Sequence, residues 1–334
     1  MFRRFPLFSF VLTTCACLNA ACIILPARAA APITTTIEQT APTHAGPVVV
    51  ACVGDSITAG VGASNGDHNY PSLLADLLGS GYKVINFGES GATLLKNGDS
   101  PYWQRGSFGR SATAAPDVVI IMLGTNDSKP QNWKIKDQFA ADYAALIDYY
   151  AQMPSHPQVF AVLPPPVPGS GNYGINEPAV EEQLPIIEQV ASQKGDEVID
   201  VNSGVPNDST YFGDNVHPND KGYIELASTI YFGLTHAPVI EPIADRENDP
   251  QTTVTIVAPD SGETIHYTLD GTDPTRKSPI YSAPFALTAP GQPLAGATTQ
   301  GVPVVVKALA FHGKKSTGLI ATATFATVDK PVAN

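Results

Sequence analysis

Ser56 stands at the point where a buried strand should end. The apolar run over 48–53 is followed directly by Gly-Asp-Ser at 54–56. A strand that stops at such a turn presents the serine hydroxyl at the carboxyl end of a sheet, where ligands bind in open α/β folds. A hydroxyl in this place can act as a nucleophile once a base takes its proton. The sequence therefore predicts Ser56 as a nucleophile.

Asp214 and His217 supply a base and a group that can orient it. They lie three positions apart in Asp-Asn-Val-His-Pro, just before a predicted helix. This spacing allows the Asp214 carboxylate to bind one ring nitrogen of His217 while the other nitrogen faces Ser56. Asp55, beside the serine, is predicted instead to hold the turn. The three side chains together predict a Ser-His-Asp arrangement.

Two further loops offer hydrogen-bond donors for a developing oxyanion. The small-residue segment 86–91 follows the second apolar run and can direct a backbone N–H into a cleft. The segment 124–127 follows the third run, and the Asn126 side-chain amide can donate. Each element alone has an ordinary alternative: turn serines usually cap helices, Asp-x-x-His also caps helices or binds metal, and Asn126 and Asp127 can simply build a turn. Four such elements in this order favour acyl transfer.

These segments resemble the SGNH (GDSL) hydrolase family over roughly residues 48–233. The residues at the family's serine, glycine, asparagine, acid and histidine positions are Ser56, Gly91, Asn126, Asp214 and His217. The resemblance implies a catalytic triad and an oxyanion hole formed by the N–H groups of Ser56 and Gly91 and by the Asn126 amide. Acyl transfer by these groups needs no metal, the other histidines have no ligand-like spacing, and no cofactor is predicted. Gly88 lies close to Gly91, but Asn86 at the start of the loop favours Gly91.

Alternating apolar runs and amphipathic segments predict the elements that position these residues. The predicted strands are 48–53, 83–87, 117–123, 158–163 and 197–201, and the predicted helices are 70–79, 136–151, 179–194 and 219–233. After its first residue, Asp117, the third strand is apolar without alternation, as in strands buried on both faces of a parallel sheet. The pattern predicts a three-layer α/β/α domain over 48–234, and the family resemblance implies a parallel, flavodoxin-like sheet.

The first 29 residues have the layout of a secretory signal peptide. Two arginines precede the apolar run 5–25, and Ala-Arg-Ala at 27–29 forms a small-x-small cleavage site. An uncleaved membrane anchor and lipid attachment at Cys22 are the alternatives, and the proline and alanines after the run favour cleavage. We therefore expect export to the periplasm or the cell exterior, with a flexible lead-in over 30–47.

Charge and cysteine content narrow the range of partners. The chain carries 19 basic and 31 acidic residues, a formal net charge of −12. Nucleic acid and anionic membrane surfaces are therefore poor partners, and no stable membrane association is expected after cleavage. Only Cys52 of the four cysteines lies outside the leader, so no intrachain disulfide is expected in the mature chain.

The composition changes near residue 235. Residues 235–250 are predicted to be a linker, and the period-two patterns that follow predict a small all-β sandwich over 251–328, with a tail over 329–334. The stretch 265–275 resembles the C-terminal β-module of chitobiase/β-hexosaminidase-type proteins, and that resemblance spans about 250–327. The module is expected to be a structural or binding appendage.

Two long connections, 95–110 and 164–176, are predicted to shape a binding site because they are rich in aromatic residues and glycine. The candidate substrate contacts are Tyr102, Trp103, Asp127, Trp133 and Tyr173. Flat aromatic rings suit sugar faces, although the same rings can simply pack the loops.

The stretches 88–95 and 124–130 resemble secreted carbohydrate esterases of the family, including sialate O-acetylesterase-like members. The hypothesis is an exported serine esterase that removes short acyl groups, in particular acetyl, from carbohydrate. Another small ester is the other substrate considered. The alternatives are a lysophospholipase, thioesterase or arylesterase with the same triad, and a non-catalytic carbohydrate-binding protein.

Overall fold

The computed structural model describes residues 46–243, 253–259, 261–287, 304–313, 315–316 and 318–325. The predicted signal peptide, nearly all of the predicted lead-in and the predicted tail lie outside these ranges. Within them, no helix combines the length and the apolar character needed to cross a membrane.

A five-stranded parallel sheet forms the centre of the larger domain, in the order β2-β1-β3-β4-β5. Its strands are β1 (Val48–Gly54), β2 (Tyr82–Gly88), β3 (Val118–Met122), β4 (Gln158–Leu163) and β5 (Glu197–Asp200). The helices are α1 (Ser56–Ala59), α2 (Tyr70–Leu78), α3 (Gly106–Thr113), α4 (Pro130–Trp133), α5 (Phe139–Ala151), α6 (Glu177–Glu181), α7 (Leu184–Lys194), α8 (Val201–Gly204) and α9 (Asp220–Thr235). All five predicted strands are confirmed, as is the fold class.

Successive residues of the central strands alternate between two cores. In β1, Val50 and Cys52 are buried against the layer of α2 and α9. Ala51 and Val53 are buried against the layer of α5 and α7. The central strands are therefore apolar without alternation because both faces of the sheet are covered.

Two helical segments differ from the sequence prediction. The predicted helix over 179–194 is two helices, α6 and α7, and Pro185 lies in the first turn of α7. Proline lacks an N–H and fits only such a first turn, so an unbroken helix through it is disfavoured. The end of the predicted loop 95–110 belongs to α3, a short helix that buries the serines Ser107 and Ser111 rather than a row of apolar residues.

The C-terminal part contains two small antiparallel sheets. One consists of β6 (Val239–Glu241), β7 (Thr253–Val257) and β9 (Phe285–Ala286), and the other of β8 (Thr264–Thr268), β10 (Val304–His312), β11 (Lys315–Ser316) and β12 (Ala321–Phe325). Both sheets bury side chains in one apolar cluster, which includes Ile256 from the first and Val306 from the second. The predicted all-β module is thus present.

The prediction of a linker over 235–250 is wrong for its first part. Residues 239–241 pair with β7, and Ala237, Val239 and Ile243 are buried in the core that contains α2 and α9. Prolines and charges are typical of a linker, but the apolar residues between them are buried in two different cores: Val239 and Ile243 in that of the α/β domain and Ile240 in that of the β-module. Residues 244–250 lie outside the described ranges.

Candidate active site

Ser56 is the first residue of α1, directly beyond the carboxyl end of β1. Asp55 caps this short helix, because its Oδ1 accepts the Ile57 N–H at 2.9 Å. Gly54 allows the tight entry: a Cβ there would lie 2.7 Å from the Met122 carbonyl oxygen of the neighbouring strand. The turn therefore fixes the serine at the sheet edge with 6% of its surface exposed.

His217 connects Ser56 to Asp214. Its Nε2 lies 2.9 Å from Ser56 Oγ, and its Nδ1 lies 2.7 Å from Asp214 Oδ2. The other carboxylate oxygen of Asp214 accepts the N–H groups of Val216 at 3.0 Å and His217 at 2.7 Å. The three side chains that the sequence analysis placed together thus form one hydrogen-bonded line.

The environment of Asp214 keeps its carboxylate ionised. Burial alone would raise the pKa of Asp214, but hydrogen bonds from the His217 ring and from the backbone N–H groups of His217 and Val216 lower that pKa below its ordinary value. An ionised Asp214 accepts a hydrogen bond from His217 Nδ1–H, so the proton stays on Nδ1 and Nε2 is unprotonated toward the serine hydroxyl. In this tautomer His217 can take a proton from Ser56.

The loop after β2 separates the two candidate glycines. The Gly88 N–H is occupied by Asn86 Oδ1 at 2.9 Å. Gly91 has φ +79° in the turn closed by the hydrogen bond from the Ala92 N–H to the Glu89 carbonyl. Among the hydrogen bonds of the described ranges, none uses the N–H of Ser56 or of Gly91. Both amides are therefore open to an incoming oxygen.

The Asn126 side chain lies between two acceptors. Its Nδ2 is 3.1 Å from the Ala92 carbonyl oxygen and 3.5 Å from Asp55 Oδ2. Asn132 Nδ2 donates to the Asn126 carbonyl at 2.9 Å and fixes the 3₁₀ turn that carries it. The contact to Asp55 is long, so this amide hydrogen is the one that an oxyanion can attract.

Two buried carboxyl groups support these loops from below. Asp127 is fully buried, and its two oxygens accept the N–H groups of Leu94 and Leu95. Burial raises the pKa of Asp127 to about 7 against the effect of those N–H groups. Burial likewise raises the pKa of Asp55 to about 6, against the lowering effect of the Ile57 N–H.

The predicted substrate contacts divide into three groups. Tyr102 and Asp127 are 0% exposed, and the Tyr102 hydroxyl donates to the Phe87 carbonyl, so the prediction is wrong for these two. Trp103 and Trp133 are half-buried, and each indole N–H is already used, by the Leu94 carbonyl and by Glu182 respectively. Tyr173 is 60% exposed and lies beside His217. Only for the last three does substrate contact stay a prediction.

Tyr223 is a supporting residue that the sequence did not reveal. It is fully buried on α9, and its hydroxyl lies 2.9 Å from the Ile57 carbonyl and 2.8 Å from the Val61 carbonyl. These contacts join the helix that follows His217 to the helix that carries Ser56. The sequence gives no local signal of this supporting role, because an aromatic residue on a predicted helix usually indicates core packing.

The described part of the chain contains no group of three or more His, Cys, Asp or Glu side chains arranged to hold a metal ion. The polar groups at the sheet edge instead match a hydrolase that works through a serine nucleophile, a histidine base and amide donors.

Comparison with known proteins gives the family. Residues 52–223 match the model of the GDSL-like lipase/acylhydrolase family, which spans more than half of the chain. The chain belongs to this family. Residues 254–325 match a second model, described as Fn3 associated.

One curated relative and two solved structures extend the comparison. An acetylxylan esterase from Xylanibacter ruminicola is 36% identical over 201 residues, which cover 54% of this chain and 42% of that protein. A carbohydrate acetylesterase from Sinorhizobium meliloti and an inhibitor-bound M. smegmatis aryl esterase are each 22% identical, with a TM-score of 0.49, over 56% of this chain and 98% of theirs. The chain thus spans less than half the length of the curated relative.

Proposed function

We propose that this chain is a carboxylic ester hydrolase that removes short acyl groups, in particular acetyl groups, from carbohydrate. The observation that carries the proposal is the hydrogen-bonded line from Ser56 through His217 to Asp214. It lies beside the open amides of Ser56 and Gly91 and the Asn126 side chain, as acyl transfer requires.

In the proposed reaction, Ser56 Oγ attacks the acyl carbonyl carbon while its proton passes to His217 Nε2. The carbonyl oxygen becomes an oxyanion and is stabilised by the N–H groups of Ser56 and Gly91 and by Asn126 Nδ2. Asp214 stabilises the imidazolium that forms. The bond to the alkoxy oxygen then breaks, and His217 returns the proton to the leaving alcohol. A water molecule, deprotonated by His217, then attacks the acyl-enzyme in the same way, and the carboxylic acid is released as Ser56 regains its proton.

The choice of carbohydrate rests on two supports. The relative from Xylanibacter ruminicola is named an acetylxylan esterase and is 36% identical over the matched region. The connections next to the site also carry asparagine, glycine and serine beside their aromatic residues, as suits a hydroxylated substrate. A long acyl chain instead requires a continuous apolar groove.

The test compares wild type with Ser56→Ala on p-nitrophenyl acetate, p-nitrophenyl palmitate and acetylated xylan. We expect wild type to hydrolyse the acetate and to release acetate from xylan, and Ser56→Ala to lose at least about 10³-fold in kcat, because the nucleophile is absent. Equal activity of the two proteins on every ester would overturn the esterase proposal. Preference for the palmitate would replace carbohydrate by a lipid substrate.

We further propose that the chain is exported through its N-terminal signal, to the periplasm or the cell exterior. The basic, apolar and small-residue order of residues 1–29 supports this. Fractionation of cells that express the full chain, with N-terminal sequencing of the product, tests export. An intact N-terminus in the cytoplasm would contradict it.

The chitobiase/β-hexosaminidase-type resemblance of the C-terminal module supports a role as an accessory to carbohydrate hydrolysis.

A further inference from the structure

Tyr173 makes two contacts to the Asp214–His217 pair. Its hydroxyl lies 3.1 Å from Asp214 Oδ2, and its ring centroid lies 5.8 Å from that of His217. Asp214 Oδ2 is also the oxygen that His217 Nδ1 contacts at 2.7 Å. One carboxylate oxygen therefore accepts from the imidazole and from the phenol.

The neighbouring residue attaches the same loop to the same aspartate. Asn172 Nδ2 donates to the Asp214 main-chain carbonyl at 3.3 Å, and Asn172 Oδ1 accepts the Tyr173 N–H at 2.8 Å. Asp214 is thus held from one loop through both its main chain and its side chain. Packing of a surface loop alone does not require that both contacts reach one residue.

The backbone at Tyr173 adopts a conformation that a tyrosine rarely takes. Its φ is +55°, in the left-handed region, and Gly174 after it has φ +80°. Left-handed non-glycine residues persist only when the surrounding contacts enforce them, and they concentrate at functional sites. A Cβ at Gly171 would lie 2.2 Å from the Ile175 carbonyl oxygen. The tight loop is therefore built to bring this side chain over Asp214 although its ring remains largely exposed.

We infer that Tyr173 is a positioning residue of the proposed hydrolysis: its hydroxyl fixes Asp214 Oδ2 in the plane that orients His217, and its ring lies beside the imidazole. The inference rests on the proposed function, because it assigns a role within that same site. It replaces the predicted role of Tyr173 as a substrate contact.

The hydroxyl also changes the charge that Asp214 presents to the imidazole. A donor on Asp214 Oδ2 withdraws negative charge from the carboxylate and weakens its attraction for an imidazolium. Removal of this donor should stabilise the protonated imidazole and raise the pH below which His217 is inactive as a base. Within the described residues, Asp55 also interacts with His217 and Tyr223 with Asp214, and the substitution of Tyr173 replaces neither of them.

The experiment compares Tyr173→Phe with wild type on p-nitrophenyl acetate across the acid limb of the pH profile. Tyr149→Phe is the matched control, because Tyr149 is also partly exposed and its ring stacks on Phe108 of α3. For Tyr173→Phe we expect kcat to fall about 3- to 10-fold with KM nearly unchanged. The acid limb of kcat/KM should move to higher pH by roughly 0.3–0.5 unit. Tyr149→Phe should match wild type in all three quantities.

Two outcomes would overturn the inference while the proposed function stands. One is a Tyr173→Phe enzyme with wild-type kcat and an unmoved acid limb, alongside an inactive Ser56→Ala. The other is a rise in KM alone, which would return Tyr173 to the role of a substrate contact. If wild type and Ser56→Ala hydrolyse esters equally, the proposed function itself fails.

Discussion

Gly88 and Gly91 lie three residues apart in one loop and are needed for different physical reasons. A Cβ at Gly88 would lie 2.1 Å from the backbone nitrogen of Ala59 in α1. A Cβ at Gly91 would meet nothing within 4 Å, but its φ of +79° is one that only glycine adopts freely. The first glycine permits close packing below the nucleophile, and the second sets the direction of an N–H group.

We therefore expect the two alanine substitutions to affect different quantities: Gly91→Ala mainly the activity and Gly88→Ala mainly the thermal stability. Gly91→Ala should favour a turn with negative φ, which rotates the peptide between Ser90 and residue 91 and removes an oxyanion donor, with a loss of about 10²-fold in kcat. Its melting temperature should fall by only about 2–4 °C. Gly88→Ala should lower the melting temperature far more, because backbone of α1 must move. Calorimetry and p-nitrophenyl acetate kinetics measure both effects, and a fully active Gly91→Ala would remove Gly91 from the oxyanion hole.

At the scale of elements, α9 and α1 hold the base and the nucleophile in register. The two helices start near His217 and at Ser56, and they meet through the Tyr223 hydroxyl, which reaches two carbonyl groups of the α1 region. The Ser56–His217 distance therefore depends on a contact that involves neither residue.

Tyr223→Phe should weaken this connection without creating a cavity. Buried carbonyl groups then lose their donor, which costs about 1–3 kcal/mol, and kcat should fall because His217 and Ser56 are held less closely. Thermal unfolding and kcat on p-nitrophenyl acetate measure the two effects, with Tyr149→Phe as the control. Unchanged kcat in a destabilised Tyr223→Phe would mean that the contact serves stability alone.

The elements that the sequence predicts well are those with a strong local pattern. Each of the five strands of the main sheet lies within one residue of its predicted limits. The signal is strongest for the central strands β1, β3 and β4, which are buried on both faces and apolar almost without interruption. The positions of Ser56, Asp214, His217 and Asn126 follow, since strand ends determine where the loops meet. The sequence does not predict short elements such as β6 and α3, because their structure depends on distant partners. The burial of Tyr102 and Asp127 depends on such partners too, and loop composition could not reveal it.

At the scale of the molecule, the segment after α9 connects two hydrophobic cores. Ile243 is 2% exposed and belongs to the core of the α/β domain. Ile240, three residues earlier, is also 2% exposed but belongs to the core of the β-module. The segment therefore contributes to the stability of the α/β domain directly and not only as a connection to the module.

This arrangement provides a matched pair of substitutions. Ile243→Ala and Ile240→Ala each remove the same atoms from a buried site, at a cost of about 2–5 kcal/mol in the core concerned. Because the candidate active site belongs to the α/β domain, Ile243→Ala should lower the temperature at which p-nitrophenyl acetate hydrolysis is lost. Ile240→Ala should lower a calorimetric transition of the module and leave that inactivation temperature nearly unchanged. If both variants lower the inactivation temperature equally, the two cores unfold as one cooperative unit, and the prediction of separate stabilities is wrong.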